Sequence, residues 1–126
     1  MTAIVRVPGC FAVARLPPEA PVPAWATGAV TSITRTPEEL SIVCDDEAVP
    51  SGVYATRDFA ALRVVGTIDF GVVGLLATLT RALADAGVSV FAVSTFDTDY
   101  LFVRTSDLPR ARDALASVAV LVDERQ

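Results

Sequence analysis

The segment from Ser94 to Tyr100 (STFDTDY) concentrates the polar side chains that could bind a small molecule. It lies between the apolar runs Val88–Val93 and Leu101–Val103, which are typical of strands, where an ordinary hairpin would carry Asn-Gly or Gly-Gly. The predicted hairpin therefore brings two carboxylates and three serine or threonine hydroxyl groups to one end of a sheet.

A second polar junction lies just upstream, where residues 67–76 (TIDFGVVGLL) run from a strand into a helix. The start of a helix offers unpaired backbone N–H groups and a positive dipole end, both suited to a carboxylate. Gly71 and Gly74 lack Cβ atoms, so a ligand could approach their backbone closely, although they could equally serve tight turning. With Asp99 as a possible acceptor for an ammonium or guanidinium group, the two segments could form a small polar pocket at a strand–helix junction.

Each of these residues also has a purely structural interpretation. Asp97 and Asp99 could hold a turn through Asx hydrogen bonds, and Phe96 could be either a lid over a ligand or a core residue. A metal site is not expected, because the spacing is not that of an EF-hand and no third ligand is near.

The composition excludes most catalytic classes. The chain has ten arginines, no lysine and no histidine against fifteen acids, with a net charge of −5. Without lysine there is no Schiff base or P-loop lysine, and without histidine there is no Ser-His or Cys-His pair. Scattered arginines in an acidic chain also argue against nucleic-acid binding. We therefore expect no enzyme activity, no cofactor and no nucleic-acid partner.

Length and hydropathy indicate a small folded protein. The 126 residues are 52% hydrophobic, yet no apolar run approaches the roughly 18 residues that span a bilayer. No secretory leader is recognisable, so we expect a cytoplasmic protein without a membrane partner. Cys10 and Cys44 each lie in an apolar run and are interpreted as small buried hydrophobes, with a disulfide or redox switch as the alternative.

The second half predicts the order β-α-β-β-α-β, the ferredoxin-like split βαβ pattern. A strand over Leu62–Gly66 precedes a helix with Asp69 as its N-cap, and Gly87 ends that helix. The helical stripe consists of Val72, Leu76, Leu79 and Leu83. After the hairpin, Ser106 or Asp107 caps a second helix, and Ala119–Val122 forms the last strand.

The first half is interpreted as a degenerate copy of the second. Cys10–Leu16 is predicted to be a strand, and Ala29–Thr34 with Leu40–Cys44 a hairpin. Four prolines between Pro17 and Pro23 forbid a regular helix between them, and Trp25 is expected to fill the resulting gap. Laying Val43 on Val103 pairs Thr34 with Ser94, Glu39 with Asp99 and Leu40 with Tyr100.

Residues 53–55 are predicted to form an edge strand and residues 56–59 a connector. We place the boundary between the repeats near Ala60, which gives a first unit at residues 1–60 and a second at residues 61–126.

These segments resemble the ACT-domain proteins, specifically the small tandem ACT family related to the eukaryotic cytosolic arginine sensors. The resemblance rests on residues 67–76, on AGVSV at 86–90 and on the hairpin at 94–100, with residues 35–43 as the first-repeat counterpart. It implies an α+β, ferredoxin-like ACT fold of two tandem units, the first of them degenerate.

The resemblance also implies a function and a site. In ACT domains a turn after the first strand and a facing hairpin grip an amino acid, which here involves Asp69, Phe70, Gly71, Val72, Val73, Gly74, Leu75, Ser94, Thr95, Phe96 and Asp99. The expected protein is an allosteric sensor that binds an amino acid, forms a homodimer and acts on a regulated partner. The alternative is an ACT-like interaction module without a ligand.

Overall fold

The computed structural model describes residues 2–66 and 73–122. The chain folds into two compact units. The first unit comprises residues 9–59, and the second comprises the residues before Gly9 together with those from Ala60 onward. Two long strands, β1 (Ala3–Leu16) and β4 (Ala55–Val64), each contribute residues to both units. Among the described residues, no helix is both long and apolar enough to cross a membrane.

The first unit is an antiparallel arrangement of strands. Its strand order is β2 (Ser32–Arg35), β3 (Leu40–Asp45), β1 and β4. β1 pairs with β3 from Leu16 opposite Leu40 to Phe11 opposite Asp45. β2 pairs antiparallel with β3 from Ser32 opposite Val43 to Arg35 opposite Leu40, which confirms the predicted hairpin, although β2 begins three residues later than expected.

Residues 17–31 form turns rather than a helix or strand, as the prolines predict. Trp25 packs against a buried cluster and so fills the space beside it, as expected. The cluster consists of Ala12, Ala14, Leu40, Ile42, Cys44 and Val49. Burial of Cys44 matches its interpretation as a small hydrophobe, whereas Cys10 is only half-buried.

The second unit has the predicted β-α-β-β-α-β order. After β4 come α1 (Leu75–Asp85), β5 (Phe91–Ser94), β6 (Asp99–Arg104), α2 (Leu108–Leu115) and β7 (Val120–Val122). The strand order is β7-β1-β4-β6-β5. The core joins both helices to the sheet through Ile4, Leu62, Val64, Leu79, Leu83, Leu101, Val103, Ala111 and Leu115.

Gly87 ends α1 as expected. The φ angle of Gly87 is +74°. The N–H of Gly87 donates to the carbonyl of Ala84 at 3.0 Å, and the N–H of Val88 donates to the carbonyl of Leu83 at 2.9 Å. This pair of bonds is a Schellman motif, which satisfies the last carbonyls of the helix and favours glycine at the left-handed position.

Several sequence-based details are wrong. The helix begins at Leu75 with Gly74 as N-cap, so it starts later than the predicted stripe from Val72, and Asp69 lies outside the described residues. The connector predicted at residues 56–59 is part of β4, in which the side chains from Ala55 to Asp58 alternate between half-buried and exposed and those from Phe59 to Leu62 are buried. Asp107 stands at the start of α2 but makes no cap; its carboxylate instead accepts a hydrogen bond from Arg110 at 3.2 Å.

Candidate functional site

The hairpin turn at residues 95–98 is closed by Thr95. The N–H of Thr95 donates to the carbonyl of Thr98 at 2.8 Å, and the N–H of Thr98 donates to the Thr95 hydroxyl oxygen at 3.3 Å. The Thr95 hydroxyl in turn contacts the Thr98 carbonyl at 3.2 Å. The side-chain hydrogen bonds that fix this turn therefore come from Thr95, and the Asx interpretation of Asp97 and Asp99 is not needed to explain it.

Ser94 and Asp99 face each other where β5 and β6 meet the turn. They are partners in the antiparallel register, and the Ser94 hydroxyl donates to Oδ1 of Asp99 at 2.5 Å. Asp99 is half-buried and Ser94 is exposed. The hydroxyl thus orients the carboxylate at the rim of the sheet, which leaves a fixed negative group available to a cation.

Thr98 fastens this turn to the end of β4. It is the only buried polar residue among those described, and its hydroxyl donates to the carbonyl of Val64 at 2.8 Å. Val64 is the last residue of β4, which leads toward the segment of residues 67–72. The sequence does not predict this role of Thr98, because no local pattern distinguishes a buried threonine from an exposed one in a polar hairpin.

The remaining hairpin residue of the predicted site is Phe96, which lies in the turn with 78% of its surface exposed. A phenyl ring at this exposure is not a core residue, so the core interpretation of Phe96 is wrong. An aromatic ring on the surface beside a polar rim is suited to contact with a ligand or a second chain.

The helix side of the predicted site is partly described. Val73 is 94% exposed, Gly74 is the exposed N-cap of α1 with φ +85°, and Leu75 is the half-buried first helical residue. A Cβ at Gly74 would meet no atom within 4 Å, so its backbone conformation rather than crowding explains the glycine there. Asp69, Phe70, Gly71 and Val72 lie outside the described residues.

A closely similar turn occurs in the first unit at residues 36–39. The N–H of Thr36 donates to the carbonyl of Glu39 at 2.9 Å, and the N–H of Glu39 donates to the Thr36 hydroxyl oxygen at 3.2 Å. Thr36 therefore corresponds to Thr95, one position away from the sequence-based alignment that laid Val43 on Val103. The equivalence extends to a single 3₁₀ turn after each hairpin, at Asp46–Ala48 and Thr105–Asp107.

The corrected alignment changes which residues of the first hairpin are equivalent to the polar residues of the second. The position of the Ser94–Asp99 pair is taken in the first unit by Arg35 and Leu40, which are likewise register partners. Glu39 corresponds to Thr98 rather than to Asp99. Because Leu40 is fully buried and apolar, the first unit lacks the carboxylate of this site.

A cluster in the first unit consists of Cys10, Asp46 and Asp58. The thiol sulfur and one carboxylate oxygen of each aspartate, atoms of the kind that can coordinate a metal ion, lie within 4.8 Å of one another. Asp46 is already used: its Oδ1 accepts from Arg57 at 3.2 Å and its Oδ2 accepts from the N–H of Asp58 at 2.8 Å. These bonds hold the start of β4, where Asp58 has φ +67°. The group is therefore explained as a structural anchor.

Two models of known protein families match the chain. The ACT domain model matches residues 54–117, just over half of the chain, and a model for an N-terminal domain matches residues 9–52. The chain belongs to the ACT-domain family. This confirms the resemblance that the hairpin and the glycine turn indicate.

Individual relatives agree with this assignment. Human CASTOR3P is 32% identical over 99 residues, which are 68% of this chain and 61% of that protein, so the chain spans about three fifths of its length. The crystal structure of protein Atu0741 from Agrobacterium tumefaciens superimposes with a TM-score of 0.92 at 35% identity, covering 99% of this chain and 95% of that one.

The fold is also shared with a more distant protein. The regulatory subunit of aspartate kinase from Thermus thermophilus, in its ligand-free form, gives a TM-score of 0.62 at 13% identity, covering 86% of this chain and 92% of that one. At this identity the likeness concerns the fold alone. The predicted α+β, ferredoxin-like ACT fold is confirmed.

Proposed function

We propose that this protein binds an amino acid at the hairpin end of the second unit and acts as a regulatory sensor without catalysis. The single observation that carries the proposal is the Ser94–Asp99 pair, a half-buried carboxylate oriented by a hydroxyl beside the turn. A carboxylate held in this way binds an ammonium or guanidinium group without first having to be ordered.

The opposite end of the ligand would be bound by α1. A carboxylate at the start of this helix would accept hydrogen bonds from the first N–H groups and interact favourably with the helix dipole. Gly74 is the N-cap and contributes no side chain that would compete for those N–H groups. The roles of Asp69, Phe70, Gly71 and Val72 in the ligand turn are part of the proposal and rest on the family resemblance.

Phe96 would close the site. Its exposed ring stands in the same turn as the hydrogen bonds of Thr95, so it can cover a bound amino acid without rearrangement of the strands. Val73, Leu75 and Thr95 would complete the walls around the ligand. The site then has an anion-binding end, a cation-binding end and an apolar cover.

The proposal includes one site per chain. Residues 1–60 and 61–126 are interpreted as two tandem ACT-like units, and only the second has the carboxylate, since Leu40 stands at the equivalent position in the first. We place the protein in the cytoplasm as a homodimer that passes ligand binding to a protein partner. The regulatory role is supported by the family match.

A thermal-shift screen of the twenty amino acids tests the proposal. A ligand present at about 100 times its Kd stabilises the folded state by roughly 2.7 kcal/mol, which is readily measured as a rise in Tm. Calorimetric titration then gives the stoichiometry, expected to be one ligand per chain. If no amino acid raises Tm at millimolar concentration, the ligand-free interaction module is the correct alternative.

A further inference from the structure

A cavity lies beside the sheet of the second unit, at residues away from the hairpin turn in sequence. Its volume is about 360 Å³, and its walls come from β1, β4, β7 and Val65, which directly follows β4. β1 and β7 are paired in parallel with Val5 opposite Val122, and the N–H of Val65 donates to the carbonyl of Ala3 at 2.9 Å. The walls therefore stand on hydrogen-bonded strands, which hold them in place without a ligand.

The lining combines two guanidinium groups with apolar side chains. The cations are Arg6 and Arg63, and the apolar residues are Val5, Val7, Pro8, Val65 and Val122. No acidic side chain lines this cavity among the described residues. In a chain of net charge −5, two arginines grouped on an apolar surface form a local positive site.

Arg6 supplies the observation that points to a ligand. Its Nε is buried and has no hydrogen-bond partner among the described residues. A buried N–H of a charged group that lacks an acceptor is costly, and a carboxylate bound to the rest of the Arg6 guanidinium would offset part of this cost through its charge. Arg63 contacts the carbonyl of Val64 through one nitrogen at 3.3 Å, and a guanidinium has further N–H groups for another acceptor.

We propose that this cavity is a second ligand site, which binds a small amphiphilic acid with its carboxylate on Arg6 and Arg63 and its aliphatic chain against the valines. Guanidinium groups suit a carboxylate because they can donate two parallel hydrogen bonds. A free amino acid would fit poorly, since the described lining residues offer its ammonium group only arginine and apolar side chains. The site therefore selects a different class of ligand from the hairpin site.

The chain itself contains one rival occupant. Asp123 and Glu124 directly follow Val122 in the sequence and carry carboxylates. The test must therefore separate a ligand from outside from these two residues, which the variant Asp123→Asn/Glu124→Gln does.

The probe is hexanoate, titrated by calorimetry at low ionic strength, with hexan-1-ol and hexylamine as neutral and cationic controls of the same length. We expect hexanoate alone to bind, and Arg6→Gln and Arg63→Gln each to weaken it at least tenfold. Arg81→Gln is the control, because Arg81 lies on the exposed face of α1 and pairs with Asp85. Added salt should also weaken binding, as charge screening requires.

Two matched variants of Val65, at the edge of the cavity, test the site without a change to either arginine. Val65 is 44% exposed, so Val65→Glu would place a carboxylate beside the guanidinium groups and should abolish hexanoate binding, whereas Val65→Gln should retain it. Absence of hexanoate binding to the wild type, or equal binding of hexanoate and hexan-1-ol, overturns the proposal. Binding seen only in Asp123→Asn/Glu124→Gln shows that the chain fills its own cavity, which also overturns it.

Discussion

The hydroxyl of Thr98 donates a 2.8 Å hydrogen bond to the carbonyl of Val64, across 34 positions of sequence. This bond fixes the hairpin turn to the last residue of β4. The position of the proposed cation-binding carboxylate therefore depends on a residue that does not itself contact the proposed ligand.

Thr98→Val should lower the free energy of unfolding by about 1 kcal/mol, the usual net worth of a hydrogen bond. A larger loss is not expected, because Arg63 also donates to the carbonyl of Val64 and keeps it partly satisfied. Urea denaturation measures the change, and Thr34→Val, at an exposed strand position, is the control. Equal midpoints for wild type and Thr98→Val would show that the bond does not stabilise the fold.

Asp99→Asn should weaken amino-acid binding by roughly 1.5–3 kcal/mol, the range for a hydrogen bond to a charged group. The amide keeps the shape of the side chain and removes the charge that attracts the cation. Calorimetric titration with the amino acid from the screen measures the loss, and Asp97→Asn, in the same turn, is the matched control. If the two variants bind equally well, Asp99 is a structural residue of the hairpin.

Gly74→Ala should lower the free energy of unfolding by about 1 kcal/mol, because φ is +85° and an L side chain is strained there. Open space around the added Cβ excludes a steric explanation. Gly74→Asn should cost less, since asparagine tolerates the left-handed conformation better than alanine does. Thermal unfolding of both variants checks the order, and a reversed order would contradict the backbone argument.

The protein should be a homodimer at micromolar concentration. β2 and β5 stand at the ends of the strand orders of the first and second units, and such strands present backbone groups that a second chain can pair. Light scattering measures the mass. Ile33→Lys tests β2 and Ala92→Lys tests β5, because an edge lysine opposes strand pairing. A wild-type monomer would refute the prediction outright.

Stability should fall in alkaline solution through Cys44. Burial, together with the charge of Asp45, raises the pKa of its thiol above the ordinary value of 9.0. The folded state then keeps the proton while the unfolded state loses it, so this contribution is complete below pH 9.0 and declines above it. Urea midpoints at pH 7.5 and 10 should differ less in Cys44→Val, and an equal difference in both proteins would contradict the assignment.

The sequence predicted the elements of the second unit because its patterns are local. Apolar residues at Leu76, Leu79 and Leu83 recur at helical spacing, and Gly87 stops the helix with a backbone conformation that few other residues adopt. The proline segment likewise excluded a helix by its chemistry alone. Such features need no information from distant residues.

The missed features depend on contacts that are distant in sequence or on a shift of register. The burial of Thr98 requires Val64, which no local pattern indicates. The sequence-based alignment of the repeat is one position off because a few chemically similar pairs, such as Thr34 with Ser94 and Glu39 with Asp99, cannot distinguish two registers of a short hairpin. The hydrogen bonds of Thr36 and Thr95 do distinguish them.

The different residues at the equivalent positions Leu40 and Asp99 have a consequence for redesign. Leu40 is packed with Ile42 and Cys44 in the first unit, so an aspartate at position 40 would bury a charge among apolar side chains. A carboxylate could be accommodated at position 40 only if its neighbours in that core changed as well. Packing alone therefore separates the two hairpins chemically, although both have the same hydrogen-bonded turn.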